Sequence, residues 1–318
     1  MTAAPSCPWC GGATRPAGRR LVACVHCHSA LTFPRPDDAE LAQAYGGAYR
    51  PADGRFSAGA DRLLARTRGT LARRIAATAP PGPVLDVGSG DGSLLDALAA
   101  AGREAVGLER DPGGRADTHA VEITDFTERS GTWAAVVLWH SLEHLRDAPA
   151  ALAAAAGLLA PGGVLIVAVP NRDSWQARVL GDRWLALDLP RHLHHLTARA
   201  LLTALRAQGL EVERVSAWRG GQVLFGWLHG LVAALPGHPD LYDAIRRPPA
   251  RLHPMGPRRR AATLLAGALL TPPAALVALA EVLAGHGGSV FVQARRPAHR
   301  GPGIVGTVSL SDSETAHA

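Results

Sequence analysis

Lysine does not occur in this chain. All 33 basic residues are arginine, and with 27 acidic residues the formal charge is +6. Guanidinium groups suit phosphates and carboxylates, so nucleic acids, acidic lipids and phosphorylated substrates all have to be considered as partners. The competing interpretation is that the arginines only spread charge over a solvated surface.

The chain also lacks the pattern of a signal peptide and the composition of a disordered protein. No positively charged segment followed by an apolar one stands at the N-terminus, which favours the cytoplasm. A hydrophobic fraction of 47% over 318 residues argues against disorder as the main state. The length fits about two domains.

Cysteine occurs only four times, in two pairs. Cys7-x-x-Cys10 and Cys24-x-x-Cys27 are separated by 13 residues, a spacing that predicts four thiolates in the tetrahedral geometry of a structural zinc ribbon. Four protein ligands leave no position for a substrate, so the Zn²⁺ is expected to fold the segment and to take no part in chemistry. A disulfide would need an oxidising compartment, and no secretion signal indicates one, so disulfides are not expected. Two histidines beside the second pair are further candidate ligands, His26 and His28.

The most informative stretch is 84–92, an apolar strand that runs into a glycine-rich turn and then a helix at Ser93–Ala101. Glycine lets the backbone turn tightly and approach a ligand closely, and the first N–H groups of the helix point at that ligand. The glycines are spaced G-x-G-x-G, whereas a dinucleotide site has its third glycine one residue later. The stretch therefore predicts a nucleoside cofactor.

The strands that follow supply the neighbours of this turn. A second strand, 105–108, ends at Glu109, whose carboxylate can accept hydrogen bonds from both ribose hydroxyls of an adenosine. Three further strands are predicted: one centred on 121–123 that ends at Asp125, one at 134–138 that ends at Trp139-His140, and one at 164–171 after the Pro161-Gly162-Gly163 turn.

With these residues in place, the chain resembles the class I S-adenosylmethionine-dependent methyltransferases, particularly their small-molecule branch. The shared motifs are L-D-x-G-x-G-x-G from Leu85, L-E-H from Leu142 and L-x-P-G-G from Leu159. The resemblance covers residues 60–217 and resumes at 288–297. It implies S-adenosyl-L-methionine as the methyl donor and as its binding residues Asp86, Gly88, Ser89, Gly90, Gly92, Glu109, Asp125, Trp139 and His140.

One segment departs from the family. Between Glu109 and Asp125 its members usually have a full helix, whereas residues 110–120 here contain a proline and two glycines that disfavour one. The adenine side of the pocket is therefore expected to be rebuilt.

The resemblance implies an α/β fold, a doubly wound seven-stranded Rossmann-like methyltransferase sheet with an N-terminal zinc ribbon and a helical C-terminal cap insertion. The linker is expected to fold over the cofactor, with Tyr45 and Tyr49 as lid candidates. We divide the chain into a zinc ribbon (1–35), a linker or lid segment (36–58), the methyltransferase core (59–220), the apolar helical cap (221–287), the last core strand (288–298) and a flexible tail (299–318).

The cap contains the uncharged run 261–280, which reaches the length of a membrane span. Thr271-Pro272-Pro273 is expected to break this run in the middle. We therefore expect a helical lid over an apolar substrate pocket. The alternative is reversible contact with the inner membrane surface, where the basic step Arg258-Arg259-Arg260 would favour anionic head groups.

Methyl transfer requires that the acceptor be aligned and that it lose a proton, a task that suits histidine. Two clusters of histidines are candidates for this task. The first lies just beyond the fourth strand. The second, 192–195, lies in the loop that should form the far wall of the pocket. For every candidate a structural, hydrogen-bonded role is the alternative, and metal catalysis is disfavoured because no carboxylate stands at ligand spacing inside the second cluster. The candidate bases are His192, His144, His140 and His195.

The favoured function is methyl transfer to a hydroxyl, and less so to carbon or nitrogen, of an apolar or amphipathic small molecule, in secondary metabolism or in lipid or quinone-type chemistry. The first alternative is an rRNA or tRNA base methyltransferase that uses the ribbon to bind RNA. Against it, the fourth strand does not end in Asn/Asp-Pro-Pro-Tyr and the ribbon has few aromatic side chains to stack bases, so nucleic acid is not the expected partner. Two other classes remain, a non-catalytic scaffold protein and a nicotinamide-dependent oxidoreductase. The sequence does not indicate an oligomeric state.

Overall fold

The computed structural model describes residues 4–46, 56, 58–217 and 221–298, and within these it describes no side chains for 58–64. Two predicted features lie outside the described residues: Tyr49 and the tail 299–318. The described strands are β1 (Thr14–Pro16), β2 (Leu21–Cys24), β3 (Ala30–Thr32), β4 (Val84–Val87), β5 (Ala105–Leu108), β6 (Thr118–His119), β7 (Trp133–Trp139), β8 (Leu159–Pro170), β9 (His194–His195), β10 (Glu211–Ser216) and β11 (Ser289–Arg295).

The described helices alternate with these strands, as a doubly wound sheet requires. Thr197 caps α6 as its sequence position predicts, because its hydroxyl accepts a hydrogen bond from Ala200 N. The helices are α1 (Asp38–Ala44), α2 (Ala58–Thr78), α3 (Ser93–Ala100), α4 (Ala148–Leu158), α5 (Trp175–Leu180), α6 (Ala198–Ala207), α7 (Gly221–Ala233), α8 (Leu241–Ile245) and α9 (Pro257–Leu283).

The large sheet has seven strands in the order β10-β11-β8-β7-β4-β5-β6. The five strands from β8 to β6 are parallel, and β11 pairs antiparallel with both β8 and β10. This is the predicted α/β sheet, including its terminal antiparallel hairpin. The strand order reverses between β4 and β7, and ligands of open α/β sheets bind beside the carboxyl ends of the strands at such a point.

The core lies on both faces of this sheet because its central strands are apolar at nearly every position. β4 and β8 run VLDV and LAPGGVLIVAVP, as expected of strands that helices cover on both sides. One cluster contains Trp133 and the apolar face of α4, and the other contains Leu71 and Ile75 of α2. The buried sheet thus holds the ends of β4, β5 and β7 in fixed positions.

The third strand was predicted in the wrong place. β6 is Thr118–His119, paired with β5 through Gly107 and Leu108, and the residues around Val121 form turns. Ile123 and Phe126 are buried in the core, so the apolar pattern that indicated a strand marks side chains turned inward from a loop. Between Glu109 and Asp117 the chain forms no helix, as predicted.

The turn at Pro161-Gly162-Gly163 is a bulge inside a strand. Trp133 of β7 faces Leu159 of β8, and Ala135 faces Val164, so the four residues between those two of β8 are looped out. Gly162 has a φ of 76°, a conformation that favours glycine. The predicted strand therefore begins earlier than expected, at Leu159.

The N-terminal segment forms a small antiparallel sheet, β1-β2-β3, and a strand of the core extends it. β9 pairs with β3, His195 facing Ala30 and His194 facing Leu31. Thr197 also donates its hydroxyl hydrogen to Cys27 O, at 3.0 Å. The ribbon is thus continuous with the loop that carries the second histidine cluster, a contact that the sequence did not reveal.

The cap consists of α7, α8 and α9. Its apolar side chains pack against Leu180, Trp184 and Leu187 of the core and against Leu21 of β2. The predicted break at Thr271-Pro272-Pro273 is wrong, since α9 continues through it. Thr271 donates its hydroxyl to Gly267 O at 2.8 Å, and the carbonyls of 268 and 269, which the prolines leave without an N–H donor, belong to exposed residues that water can reach.

Candidate functional site

The glycine-rich turn lies at the carboxyl end of β4, where the ligand site of such a sheet is expected. Gly88, Gly90 and Gly92 have φ values of 77°, 67° and 75°. A Cβ on Gly88 would lie 2.6 Å from Ser141 Cβ, and one on Gly92 would lie 2.5 Å from Arg115 Cζ. The backbone conformation therefore favours glycine at all three positions, and at Gly88 the space does so as well.

The residues around the turn fit an adenosine-type cofactor. Glu109 follows β5, and its Oε2 accepts a hydrogen bond from Gly90 N at 2.7 Å, so the carboxylate adjoins the turn. Among the described residues, the buried hydroxyls of Ser89 and Ser141 have no hydrogen-bond partner. A polar ligand in the turn would satisfy both donors, which would otherwise cost stability.

Asp86 lies inside β4 and is fully buried below the turn. Burial raises its pKa to about 7, with Glu109 and Asp91 adding in the same direction and Arg68 opposing them. Its proton and charge are therefore sensitive to whatever binds above it.

The loop that replaces the family helix is anchored by Arg115. Its Nη2 lies 2.8 Å from Asp96 of α3 and 2.7 Å from Asp117, just before β6. The predicted cofactor contact Asp125 does not follow a strand but lies in a turn beyond β6, where it lines a surface cavity with His119 and Phe126. Its prediction rested on the misplaced strand.

Trp139 and His140 end β7 on the same edge. Trp139 lies edge-on to Phe291 of β11, with ring centroids 6.1 Å apart, and the Arg68 guanidinium lies 5.9 Å from its ring. His140 has a φ of 55°, and its Nδ1 lies 3.2 Å from Glu143 Oε1. The left-handed backbone turns the chain into the short 3₁₀ helix Leu142–His144.

Glu143 and His144 lie in the short 3₁₀ helix that follows β7. Glu143 is 1% exposed. Burial would raise its pKa, but the hydrogen bond from His140 and the charges of the nearby histidines outweigh burial and lower it to about 2. Burial, with the charge of His192, lowers the pKa of His144 to about 4. The carboxylate is therefore ionised and the imidazole neutral at pH 7.

His144 is held from two sides. Its Nδ1 lies 2.9 Å from the Tyr45 hydroxyl and 3.1 Å from Arg191 O. A carbonyl can only accept, so Nδ1 carries the hydrogen and Nε2 keeps its lone pair. Tyr45 also touches the cofactor side, because Arg110, the residue after Glu109, places its guanidinium 4.5 Å from the Tyr45 ring.

His192 packs against His144, with ring centroids 4.6 Å apart. Its Nδ1 donates to Ala186 O at 2.8 Å, and its Nε2 lies 3.6 Å from Asp188 Oδ2. Burial would raise the pKa of Asp188, but His192 and Arg191 outweigh burial and lower it. Two carboxylates, Glu143 and Asp188, thus flank the pair of imidazoles.

The structure turns His194 and His195 toward the ribbon. His195 Nε2 lies 3.1 Å from the Thr32 hydroxyl of β3, and burial lowers its pKa well below the usual value. His194 lies edge-on to Trp9, with centroids 5.7 Å apart. Thr32 also donates to His192 O at 2.5 Å. The prediction of His195 as a base therefore conflicts with a side chain that is enclosed against the ribbon.

Two residues of this site were missed as functional candidates. They are Glu143 and Arg110. The charge of Glu143 beside three histidines could have been found from the i, i+3 spacing to His140 in the strand-end turn. The Arg110–Tyr45 contact joins distant segments and has no signal in the sequence.

The four cysteines meet at one point. Their sulfurs all lie within 4.8 Å of one another, with Cys7–Cys27 at 3.5 Å and Cys10–Cys24 at 3.4 Å. Tetrahedral Zn²⁺ with bonds of about 2.3 Å needs sulfurs about 3.8 Å apart. Burial would raise the pKa of Cys24, but N–H groups of Cys27 and His26 outweigh it and lower the pKa to about 6. The donor set fits a zinc ion.

A family model described as "Methyltransferase domain" matches residues 59–215. A ubiquinone biosynthesis O-methyltransferase of Xanthomonas axonopodis pv. citri is 31% identical over 153 residues, 42% of this chain and 64% of that protein. A protein of the same name from Xanthomonas campestris pv. campestris is 30% identical over 157 residues, 43% of this chain and 66% of that protein. The chain thus spans just under two thirds of the length of these relatives.

Solved structures with similar folds include a SAM-dependent methyltransferase from Archaeoglobus fulgidus, with a TM-score of 0.46, 15% identity, and coverage of 72% of this chain and 92% of that one. The [4+2]-cyclase SpnF has a TM-score of 0.46 and 21% identity, over 83% of this chain and 98% of that one. At these TM-scores the likeness adds nothing to the strand order described above.

Proposed function

Because residues 59–215 match a methyltransferase-domain model, we propose that this chain transfers the methyl group of S-adenosylmethionine to a hydroxyl of an apolar or amphipathic small molecule. The observation that carries the proposal is the contact between the two halves of the site. Ser141 packs on Gly88, and Tyr45 links Arg110 to His144. A donor in the glycine turn and an acceptor at His144 would therefore be neighbours.

The cofactor side would be formed by the glycine turn and Glu109. S-adenosylmethionine supplies an already activated methyl group when bound. Glu109 would accept hydrogen bonds from ribose hydroxyls, and Ser89 would donate the hydroxyl hydrogen that has no partner among the described residues. Asp125 is not included, because its prediction rested on a strand that the structure places elsewhere.

His144 is our choice for the group that removes the acceptor proton. Its Nε2 holds a lone pair, since Nδ1–H is committed to Arg191 O, and the low pKa keeps it neutral and able to accept. The charge that develops on the ring would be stabilised by Glu143 and Asp188, which are both ionised. His192 and His140 would orient this group rather than act on the acceptor.

The acceptor is proposed to be a hydroxyl of a quinone-type ring. The support is that the relatives that match over 42% of this chain are named ubiquinone biosynthesis O-methyltransferases. Trp184 and Leu187, close in sequence to Asp188 and His192, belong to an apolar cluster, which would suit a hydrophobic ring or tail beside it.

The four cysteines are proposed to bind one structural zinc. The ion would hold β1–β3 in place and, through the pairing of β3 with β9, the loop of His192. It would take no part in the transfer, because four thiolates fill its coordination sphere.

A methyl-transfer assay tests the proposal. Labelled S-adenosylmethionine is offered with a catechol and, as control, with the same ring fully methylated. We expect label in the catechol product only. For His144→Gln we expect kcat to fall by about 10²–10⁴-fold with unchanged cofactor affinity. Equal kcat for the wild type and His144→Gln would refute the assignment of the base.

A further inference from the structure

The cap ends in a helix with two apolar faces, and only one of them is covered. Successive residues turn by about 100° around a helix axis. The buried positions of α9 therefore share one face, and they are Thr263, Gly267, Ala274, Ala278 and Glu281. The exposed large side chains cluster on the opposite face, and they are Leu265, Leu269, Leu276, Leu279 and Leu283.

The buried face fixes α9 to the rest of the protein. Glu281 is fully enclosed and accepts hydrogen bonds from Gln176 N, Gln176 Nε2 and Trp227 Nε1 at 2.9, 3.0 and 2.8 Å. Ala274 and Ala278 lie in the apolar cluster of the cap. These contacts hold the helix against α5 and α7, so its outer face has a defined orientation.

The outer face is apolar along its whole length. Residues 261–283, all of which the structure describes, include one charged side chain, and that is the buried Glu281. Leu269 is 70% exposed and Leu276 is 71% exposed. From Leu265 to Leu283 the face extends for about 27 Å. Patches of this kind on a folded protein mark a site where a partner or a membrane binds.

The charge at the start of α9 says which partner fits. Arg258, Arg259 and Arg260 occupy its first turn, without an acidic residue there. Arg259 and Arg260 donate to Gly237 O and Ala244 O and so hold the start of α9 to the neighbouring segment. Arg258, seven residues before Leu265, lies on the same face as the leucines. A leucine face next to a basic cluster is the pattern of a helix that lies in the plane of an anionic membrane.

We propose that the outer face of α9 binds the protein to the surface of an anionic lipid bilayer, with the leucines among the acyl chains near the head groups and Arg258 at the phosphates. The helix lies on the membrane and does not cross it. Its inner face is covered by the rest of the cap. The carbonyls of 268 and 269, which have no N–H donor from Pro272 and Pro273, also need water, and the bilayer centre contains none. The inference does not depend on the proposed enzymatic function.

Vesicle co-sedimentation tests the proposal. We expect the full chain to bind mixed phosphatidylglycerol–phosphatidylcholine vesicles at least about tenfold more tightly than phosphatidylcholine alone, and less tightly at high salt. Leu269→Glu with Leu276→Glu should abolish binding to both, and Arg258→Gln should weaken only binding to anionic vesicles. Val215→Glu is the matched control, an exposed apolar residue of β10, 47% exposed, and it should bind like the wild type.

Binding of S-adenosylhomocysteine, measured on each variant, separates this proposal from the enzymatic one. Vesicle binding without cofactor binding would refute the function and leave the docking surface. Vesicle binding that survives the leucine variants would overturn the docking surface. A second result would also overturn it: the wild type does not bind vesicles, and sedimentation velocity shows a dimer that the leucine variants no longer form. The outer face of α9 would then be covered by a second copy of the chain.

Discussion

At the residue scale, the site depends on side chains that hold one another in fixed protonation states. Ionised Glu143 lies beside His140 and His144, and ionised Asp188 lies beside His192 and Arg191. The network is buried, so each charge is stabilised only by its neighbours. Changing one member should therefore change the chemistry of the others more than the fold of the sheet.

Tyr45→Phe tests the link between the ribbon side and the base. The variant removes the hydroxyl 2.9 Å from His144 Nδ1 but keeps the ring beneath Arg110. We expect kcat to fall about tenfold, KM to stay within about twofold, and the acid limb of the kcat–pH profile to move, because Tyr45 positions His144 and does not bind the donor. An unchanged pH profile would mean that Tyr45 only packs.

His194 should make stability depend on pH in a defined window. Burial lowers its pKa from 6.5 to about 4, so its contribution is complete above pH 6.5 and is lost as pH falls toward 4. The slope is up to about 1.4 kcal/mol per pH unit. Asp86, whose pKa is raised from 3.8 to about 7, acts in the opposite direction over the whole of this window, so the wild-type slope is a sum.

A difference between variants isolates the histidine. In urea unfolding at pH 7 and pH 5, His194→Gln should lose less stability on acidification than the wild type. His253→Gln, at an exposed histidine, should behave like the wild type. Equal losses for all three proteins would show that His194 is not buried in its neutral form.

At the element scale, local patterns in the sequence identified most of what the sheet needs. The glycine turn, Glu109 after β5 and the strands β4, β7 and β8 follow from apolar runs and their flanking residues, which act within a few positions. The third strand was misplaced because Val121 and Ile123 alternate like a strand while they belong to turns. α9 was expected to break because a Pro-Pro pair does not show whether its freed carbonyls face water.

Contacts between distant elements could not be predicted from the sequence. The pairing of β3 with β9 and the approach of Tyr45 to His144 join segments separated by more than 90 residues. No periodicity or spacing reports such a pairing. The sequence therefore predicted a zinc ribbon and a histidine loop separately, and the structure joined them in one sheet.

The ribbon prediction belongs to this scale. Cys24→Ser should lose the bound zinc, about one ion per chain in the wild type, and lower kcat at least about tenfold because β3 no longer holds β9. Affinity for S-adenosylhomocysteine should change by less than about threefold, since the glycine turn lies on another strand. Metal content is read by mass spectrometry.

His28→Asn is the matched control for the ribbon. It keeps a side chain that tolerates the φ of 60° at this position, and zinc content and activity should match the wild type. A chain that folds and turns over normally without metal would contradict the structural role of the ion.

At the scale of the whole molecule, three surfaces contribute to the proposed function. The glycine turn would hold the donor, the loop of His144 and His192 would receive the acceptor, and α9 would bring the molecule to a membrane in which an apolar acceptor dissolves. The ribbon supports the acceptor loop from behind. The acceptor loop and the membrane surface would serve methyl transfer only if the glycine turn binds the donor.

Calorimetric titration with S-adenosylhomocysteine, with NADH as a control ligand, tests that site most directly. We predict micromolar binding of the first, none of the second, and loss of binding in Gly90→Val, because a branched side chain would crowd the turn beside the N–H that donates to Glu109. Gly102→Val, with a φ of 75° in a turn where nothing lies within 4 Å, should bind normally. Binding of NADH instead, or full affinity in Gly90→Val, would contradict the account.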